Sequence, residues 1–192
     1  MRLVVGVSGA SGAIYGIRAL QVLKKRGVET HLILTDSAQE TIRLETDFRR
    51  GDVEKLVSEV HQVGDLTSKL ASGSFPTDGM LVIPCSMKTL AGVATGYSAN
   101  LLLRAADVTL KERRRLVLVV RETPLSLIHL ENMVRITRAG AVILPAMPSF
   151  YHRPKTVDEL VDQVVGKALG LLGVEPDLTR RWEGPKKTAR RA

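Results

Sequence analysis

The sequence predicts an α/β fold: a doubly wound parallel sheet in a three-layer sandwich of flavodoxin-like or Rossmann-like type. Three observations predict it. Five strand-like runs recur, at Leu3–Val7, Thr30–Leu34, Gly79–Ile83, Leu116–Val120 and Ala141–Leu144. Four are almost purely apolar, as strands buried on both faces of a parallel sheet are, while Thr30–Leu34 is only partly so. Helical patterns separate the runs, and that alternation marks α/β layering. Small, hydroxyl or charged clusters follow where apolar runs stop, which predicts one crevice at the carboxyl ends of the strands.

The elements follow in order. Leu3–Val7 runs straight into Ser8-Gly9-Ala10-Ser11-Gly12. In Ala13–Arg26 the residues Ala13, Ile17 and Leu20 share a stripe, and Gly27 is a stop signal. Ala38–Leu44 predicts a helix with Ser37 as its N-cap. Asp52–Val60 predicts a short amphipathic piece. The pattern weakens over residues 61–78, and Ser68–Thr77 is rich in Ser, Gly and Pro, which predicts a surface connection, either a lid or a subunit contact. Ser98–Arg113 predicts a helix whose basic end complements its dipole. Leu125–Thr137 continues the alternation, and Thr156-Val157-Asp158-Glu159 is a capping box opening a last helix.

The bulk numbers narrow the class. A chain of 192 residues with 44% hydrophobic and 25% charged residues suits one soluble domain, expected over 1–182, with a basic tail over 183–192. No segment has the make-up of a signal peptide or a membrane span. The single Cys85 excludes an internal disulfide framework and points to a reducing cytoplasm. The four histidines and Cys85 show no metal-ligand spacing, so no metal is expected. Residues 180–192 supply +5 of the net charge of +8. That tail reads as a solvated end rather than a nucleic-acid surface, since no nucleic-acid motif accompanies it.

Four clusters carry the chemistry. Gly9-Ala10-Ser11-Gly12 lacks both the G-x-G-x-x-G spacing and the P-loop lysine; a ligand-binding turn and a plain strand-to-helix junction both fit it. Ser86-Met87-Lys88-Thr89 joins two hydroxyls, a cation and a helix start, which suits a phosphate or a simple cap. Two such sites on neighbouring strand ends suggest a mononucleotide such as FMN. Arg121-Glu122 stands right after a buried strand, which suits either charges turned to the crevice or a plain surface ion pair. Tyr151, His152 and Arg153 lie between Pro148 and Pro154 in a stiffened loop, either an anion clamp or an anchor on the core. Cys85 reads as a small buried residue more readily than as a nucleophile.

Longer motifs then stand out: Gly9-Ala10-Ser11-Gly12-Ala13, Leu44-Glu45-Thr46-Asp47, Pro84-Cys85-Ser86, Arg104-Ala105-Ala106-Asp107-Val108, Leu110-Lys111-Glu112-Arg113, Arg121-Glu122, His129-Leu130-Glu131-Asn132-Met133 and Phe150-Tyr151-His152-Arg153-Pro154. In this order they resemble the UbiX family of flavin prenyltransferases. The resemblance implies a homododecamer that transfers a dimethylallyl group from dimethylallyl phosphate to N5 and C6 of reduced FMN. The product, prenylated FMN, would serve a UbiD-type decarboxylase. The resemblance also assigns roles. Gly9, Ala10, Ser11, Ser37, Ser86, Met87, Lys88, Thr89, Arg104 and Arg121 would bind FMN. Ser11, Glu45, Lys111 and Glu122 would be catalytic, with Glu122 as the acid-base residue. Lys111, Tyr151 and Lys167 would bind the substrate phosphate, Lys167 standing where many relatives carry arginine. Lysine, arginine and tyrosine hydroxyl groups can neutralise a departing phosphate without a metal. A flavin-dependent cysteine-type decarboxylase and a non-catalytic FMN carrier are the alternatives.

Overall fold

The computed structural model describes residues 1–178; the basic tail, and residues 179–182 of the expected domain, lie outside them. The elements run β1 (Arg2–Val7), α1 (Ala13–Lys25), β2 (Glu29–Leu34), α2 (Asp36–Glu45), α3 (Arg50–Glu54), β3 (Glu59–His61), β4 (Gly79–Cys85), α4 (Met87–Thr95), α5 (Leu101–Lys111), β5 (Arg115–Val120), α6 (Leu127–Arg138), β6 (Val142–Pro145) and α7 (Val157–Leu171). Six parallel strands form one sheet in the order β3-β2-β1-β4-β5-β6. The order reverses between β1 and β4, and such a switch point opens a crevice at the carboxyl ends.

The period of two along each strand divides the core into two layers. Leu3, Val5, Val7, Leu81, Ile83, Val117 and Val119 face α1, α2 and α7. Val4, Met80, Val82, Leu116, Leu118 and Val120 face α4, α5 and α6. Burial on both sides is why these strands read as unbroken apolar runs. Pro84 cannot donate to the ladder, and the β4–β5 register shifts between Val82 and Cys85 around it.

Several local expectations change. Thr35, not Ser37, caps α2, accepting from the Ala38 N–H at 3.1 Å. Of Asp52–Val60, only the first part is helical; Glu59–His61 is instead a sixth strand at the sheet edge. The expected helix from Ser98 begins at Leu101, because Asn100 Oδ1 accepts from Leu103 N at 3.0 Å. Thr156 caps α7 as expected, but the Glu159 carboxylate reaches the Lys155 N–H rather than that of Thr156.

Residues 62–78 are tied to the body of the domain by arginines. Arg114 donates to the carbonyls of Phe75 (2.8 Å) and Gly73 (2.7 Å). Arg104 donates to the Ala71 carbonyl (3.1 Å) and Arg2 to that of Pro76 (3.0 Å). No helix among the described residues is long and apolar enough to cross a membrane.

Candidate functional site

The crevice is assembled where β1 and β4 part. Ser8, only 1% exposed, is its latch. Its Oγ donates to the Pro84 carbonyl at 3.0 Å and accepts from the Ser86 N–H at 2.8 Å. That fixes where α4 begins. Ser86 then caps α4, accepting from Thr89 N at 3.3 Å, and its hydroxyl also meets that of Thr89 at 3.2 Å. A cap of this kind leaves first-turn N–H groups directed at the crevice.

Across from it, the β1–α1 turn lies against the start of α2. A Cβ built on Gly9 would fall 2.3 Å from Ser37 Oγ, so only glycine permits this approach. Ser37 is therefore a first-turn residue of α2 whose hydroxyl meets Thr35 Oγ1 at 3.1 Å. Thr35, Ser37, Ser86 and Thr89 line a shared cavity of about 460 Å³, with Asp36 and Lys88 adding one charge of each sign. Its volume and its ring of hydroxyls fit a small phosphorylated ligand. Ala10 is buried beside this turn, and Met87 is buried behind the α4 start.

Glu45, at the far end of α2, folds back over the turn. One carboxylate oxygen accepts from Gly12 N (2.7 Å) and Ala13 N (3.1 Å), capping α1 where Gly12 itself offers no side chain. Partial burial works to raise the Glu45 pKa. The Ser11 hydroxyl, the two backbone N–H groups and the charge of Arg121 outweigh it, so the carboxyl lies below its ordinary value. Ser11, Glu45 and Arg121, separated along the chain, thus come together near the mouth of β1. Tyr15 belongs with them. Burial raises its phenol pKa, opposed by Arg121, and its ring sits under Gly12.

Arg121 and Glu122 stand at the carboxyl end of β5, where the Arg121 N–H donates to the Cys85 carbonyl at 3.2 Å. Both are exposed, and Glu122 Oε1 accepts from Thr123 N at 3.0 Å. Beyond β6, Tyr151 and Lys167 line one cavity of about 410 Å³ together with Met147, Ser149 and Gln163. Gln163 organises that loop: its carbonyl accepts from Ser149 N and its amide meets His152 Nδ1 at 2.6 Å. His152 is thereby turned to the loop's own support.

Two expected residues stand elsewhere. Lys111 ends α5, four residues before β5 begins, whereas Glu122 follows the end of β5. A six-residue strand spans roughly 20 Å. Lys111 therefore lies at the opposite, amino-terminal end of the strands, paired with Glu112 beside Gly73. Arg104 points to Ala71 and pairs with Asp107 at 2.7 Å on the outer side of α5. Within one subunit Lys111 does not reach Glu122, while Arg104 follows Leu102 and Leu103, which line the hydroxyl-rich cavity.

Sequence reasoning missed Ser8, Tyr15 and Thr35. A hydroxyl directly after each of the first two strands was the available signal for Ser8 and Thr35; nothing local marked Tyr15.

The comparisons fit this geometry. Residues 1–169 match the family model described as Flavoprotein. The chain is 54% identical over 184 residues to a flavin prenyltransferase UbiX of Thauera aromatica, covering 96% of this chain and 95% of the relative. It is 50% identical to the flavin prenyltransferase UbiX of Escherichia coli K12, covering 95% and 98%. Among solved structures it resembles AnUbiX (PadA1) in complex with FMN and dimethylallyl pyrophosphate, at 49% identity and TM-score 0.95 over 96% of this chain and 98% of that one. It also resembles a dodecameric FMN-dependent UbiX-like decarboxylase from Escherichia coli O157:H7, at 51% identity and TM-score 0.94 over 96% and 100%. The FMN-dependent cysteine decarboxylase TvaF, at 19% identity and TM-score 0.62 over 91% and 99%, shares the fold alone. A hydroxyl-lined cavity at the switch point, a carboxylate over the first turn and half of all residues shared with prenyltransferases along nearly the whole length agree: the chain belongs to the UbiX family of flavin prenyltransferases.

Proposed function

We propose that the protein transfers a dimethylallyl group from dimethylallyl phosphate to reduced FMN, forming bonds at N5 and C6. The product is prenylated FMN, handed to a UbiD-type decarboxylase. The observation that carries this reading is the near-full-length identity to flavin prenyltransferases.

Reduced FMN, when bound, supplies the electron-rich ring system that takes up the allyl group. The residues Thr35, Ser37, Ser86 and Thr89 hold its phosphate end by hydroxyl and α4 N-terminal donors. Gly9 and Ala10 let the backbone approach closely, and Ser11 directs its hydroxyl at the reacting edge while Glu45 fixes that hydroxyl. Arg121 adds positive charge at the mouth of β1. Tyr151 and Lys167 bind the substrate phosphate from the second cavity. As the allylic C–O bond breaks, negative charge grows on the phosphate oxygens, and fixed donors stabilise it most when water is excluded. Glu122 accepts the proton released when the new ring bonds form and returns it to the departing phosphate.

Lys111 joins this cluster from a neighbouring subunit, a reading supported by its place at the amino ends of the strands, and Arg104 completes the phosphate-binding charge. A dodecameric relative supports assembly of that kind. The one thiol, Cys85, is fully buried, which suits a reducing cytoplasm, although a relative from Saccharomyces cerevisiae is mitochondrial.

The test is direct. Reduced FMN and dimethylallyl phosphate are mixed anaerobically with the protein, and the extracted flavin is weighed by mass spectrometry. A flavin heavier by one five-carbon prenyl unit is expected; recovery of unchanged FMN sinks the proposal.

A further inference from the structure

We infer that His31, His61 and Glu59 form a zinc-binding site on the β2–β3 edge of the sheet. Parallel pairing creates it. The register sets His31 opposite Glu59 and Ile33 opposite His61, so residues 28 and 30 positions apart come together on one face. His31 Nδ1 and His61 Nε2 lie 2.9 Å apart. His31 Nδ1 is 3.6 Å from Glu59 Oε2, and His61 Nε2 is 3.6 Å from Glu59 Oε1. Metal–donor bonds of about 2.0–2.1 Å in a tetrahedron require donors about 3.3 Å apart. The observed separations bracket that edge. Two imidazoles and one carboxylate with a fourth position for water, at tetrahedral spacing, is a donor set that zinc takes.

The surroundings are those of a supported site. His31 Nε2 meets Glu29 Oε1 at 3.1 Å, and His61 Nδ1 meets Ser68 Oγ at 2.9 Å. Outer partners of this kind orient ligating imidazoles and fix which nitrogen carries the proton. With the His31 proton on Nε2, its Nδ1 lone pair faces the cluster. A shift of the His61 proton from Nε2 to Nδ1, donated there to Ser68, frees a second lone pair without changing the proton count. His31 is 1% exposed and His61 8%, and Phe75 packs edge-on against His31 at 5.3 Å. Both rings are therefore immobilised.

Two cations face the cluster. Arg2 is paired with Glu29 at 2.8 Å, and Lys69 Nζ sits 2.5 Å from Glu59 Oε2. Zinc displaces Lys69 as the partner of Glu59. None of the three ligands lines either cavity of the crevice. The ion's part is structural: it clips the edge strand β3 to β2 and holds the connection that carries Ser68.

The experiment uses the full chain, stripped with a chelator and titrated with zinc chloride against a chromophoric competitor. One ion per chain with micromolar or tighter affinity is expected. His61→Ala weakens it at least about tenfold, as does Glu29→Gln through the outer shell. Lys69→Ala, an exposed change that leaves the core intact, tightens it several-fold. Cobalt(II) in place of zinc gives a tetrahedral absorption spectrum that His61→Ala abolishes. Absence of one-to-one binding in both wild type and Lys69→Ala overturns the inference. So does binding that is indifferent to His61→Ala and to Lys69→Ala, which would put the ion elsewhere.

Discussion

Replacing Ser8 by alanine cuts the link between β1 and the β4–α4 junction. The Ser8 hydroxyl serves two backbone groups, the Pro84 carbonyl at 3.0 Å and the Ser86 N–H at 2.8 Å. The Pro84 carbonyl keeps a second bond, from the Ser8 N–H at 3.2 Å. Its loss is therefore one ordinary hydrogen bond, about 1 kcal/mol. The Ser86 N–H loses its partner at a partly buried position, which costs about 1–3 kcal/mol. The combined loss is about 2–4 kcal/mol, a lowering of Tm by roughly 4–16 °C in a chain of this size. FMN affinity falls as well, because Ser86 and Thr89 take their positions from this junction. The assay is a thermal melt by circular dichroism at one fixed subunit concentration, with FMN binding followed by fluorescence quenching. A Tm within 2 °C of wild type together with unchanged FMN affinity would show that the junction holds without the latch, and the reasoning fails.

Three further outcomes are expected. Glu122→Gln and Lys111→Ala chains are each inactive, while oligomers mixed from both regain activity at about a quarter of sites if Glu122 and Lys111 come from different subunits; mixtures that stay inactive refute the shared site. Tyr151→Phe raises KM for dimethylallyl phosphate and leaves FMN binding within about twofold, because Tyr151 and Lys167 line a cavity separate from the hydroxyl-lined one; equal loss of both would make Tyr151 a packing residue. Cys85 is fully buried, and burial pushes its thiol up to about 12. The native protein therefore resists alkylation at pH 8 and reacts only after unfolding. A folded pKa above the unfolded value near 9 means the stabilisation is complete below pH 9 and lost as pH climbs toward 12. Rapid labelling of native protein would contradict this.

What the sequence reveals depends on whether the signal is local. Strands buried on both faces announce themselves, because every residue from Leu3 to Val7 must be small or apolar. The edge strand Glu59–His61 does not, since its outer side faces water and its three residues carry a charge and an imidazole. The hydroxyls of Ser86 and Thr89 could be placed from the strand that precedes them. The cap of α2 shifted from Ser37 to Thr35 because neighbouring hydroxyls compete and only backbone direction decides. Glu45 was legible as part of a motif, but its service to the α1 turn is a tertiary contact. Spacing says least about the histidines. His31 and His61 are 30 residues apart, so a search for ligand spacing passes over them, and strand register alone makes them neighbours.

The contact between Gly9 and Ser37 has an evolutionary corollary. The two positions compete for space worth less than one methyl group, since a Cβ at residue 9 would overlap the Ser37 side chain. Drift at one site is therefore conditional on the other. A randomised library covering both should return survivors in which any enlargement at residue 9 travels with glycine at residue 37, or with a displaced α2. The tolerance of each position measured singly would then understate what the pair can accept.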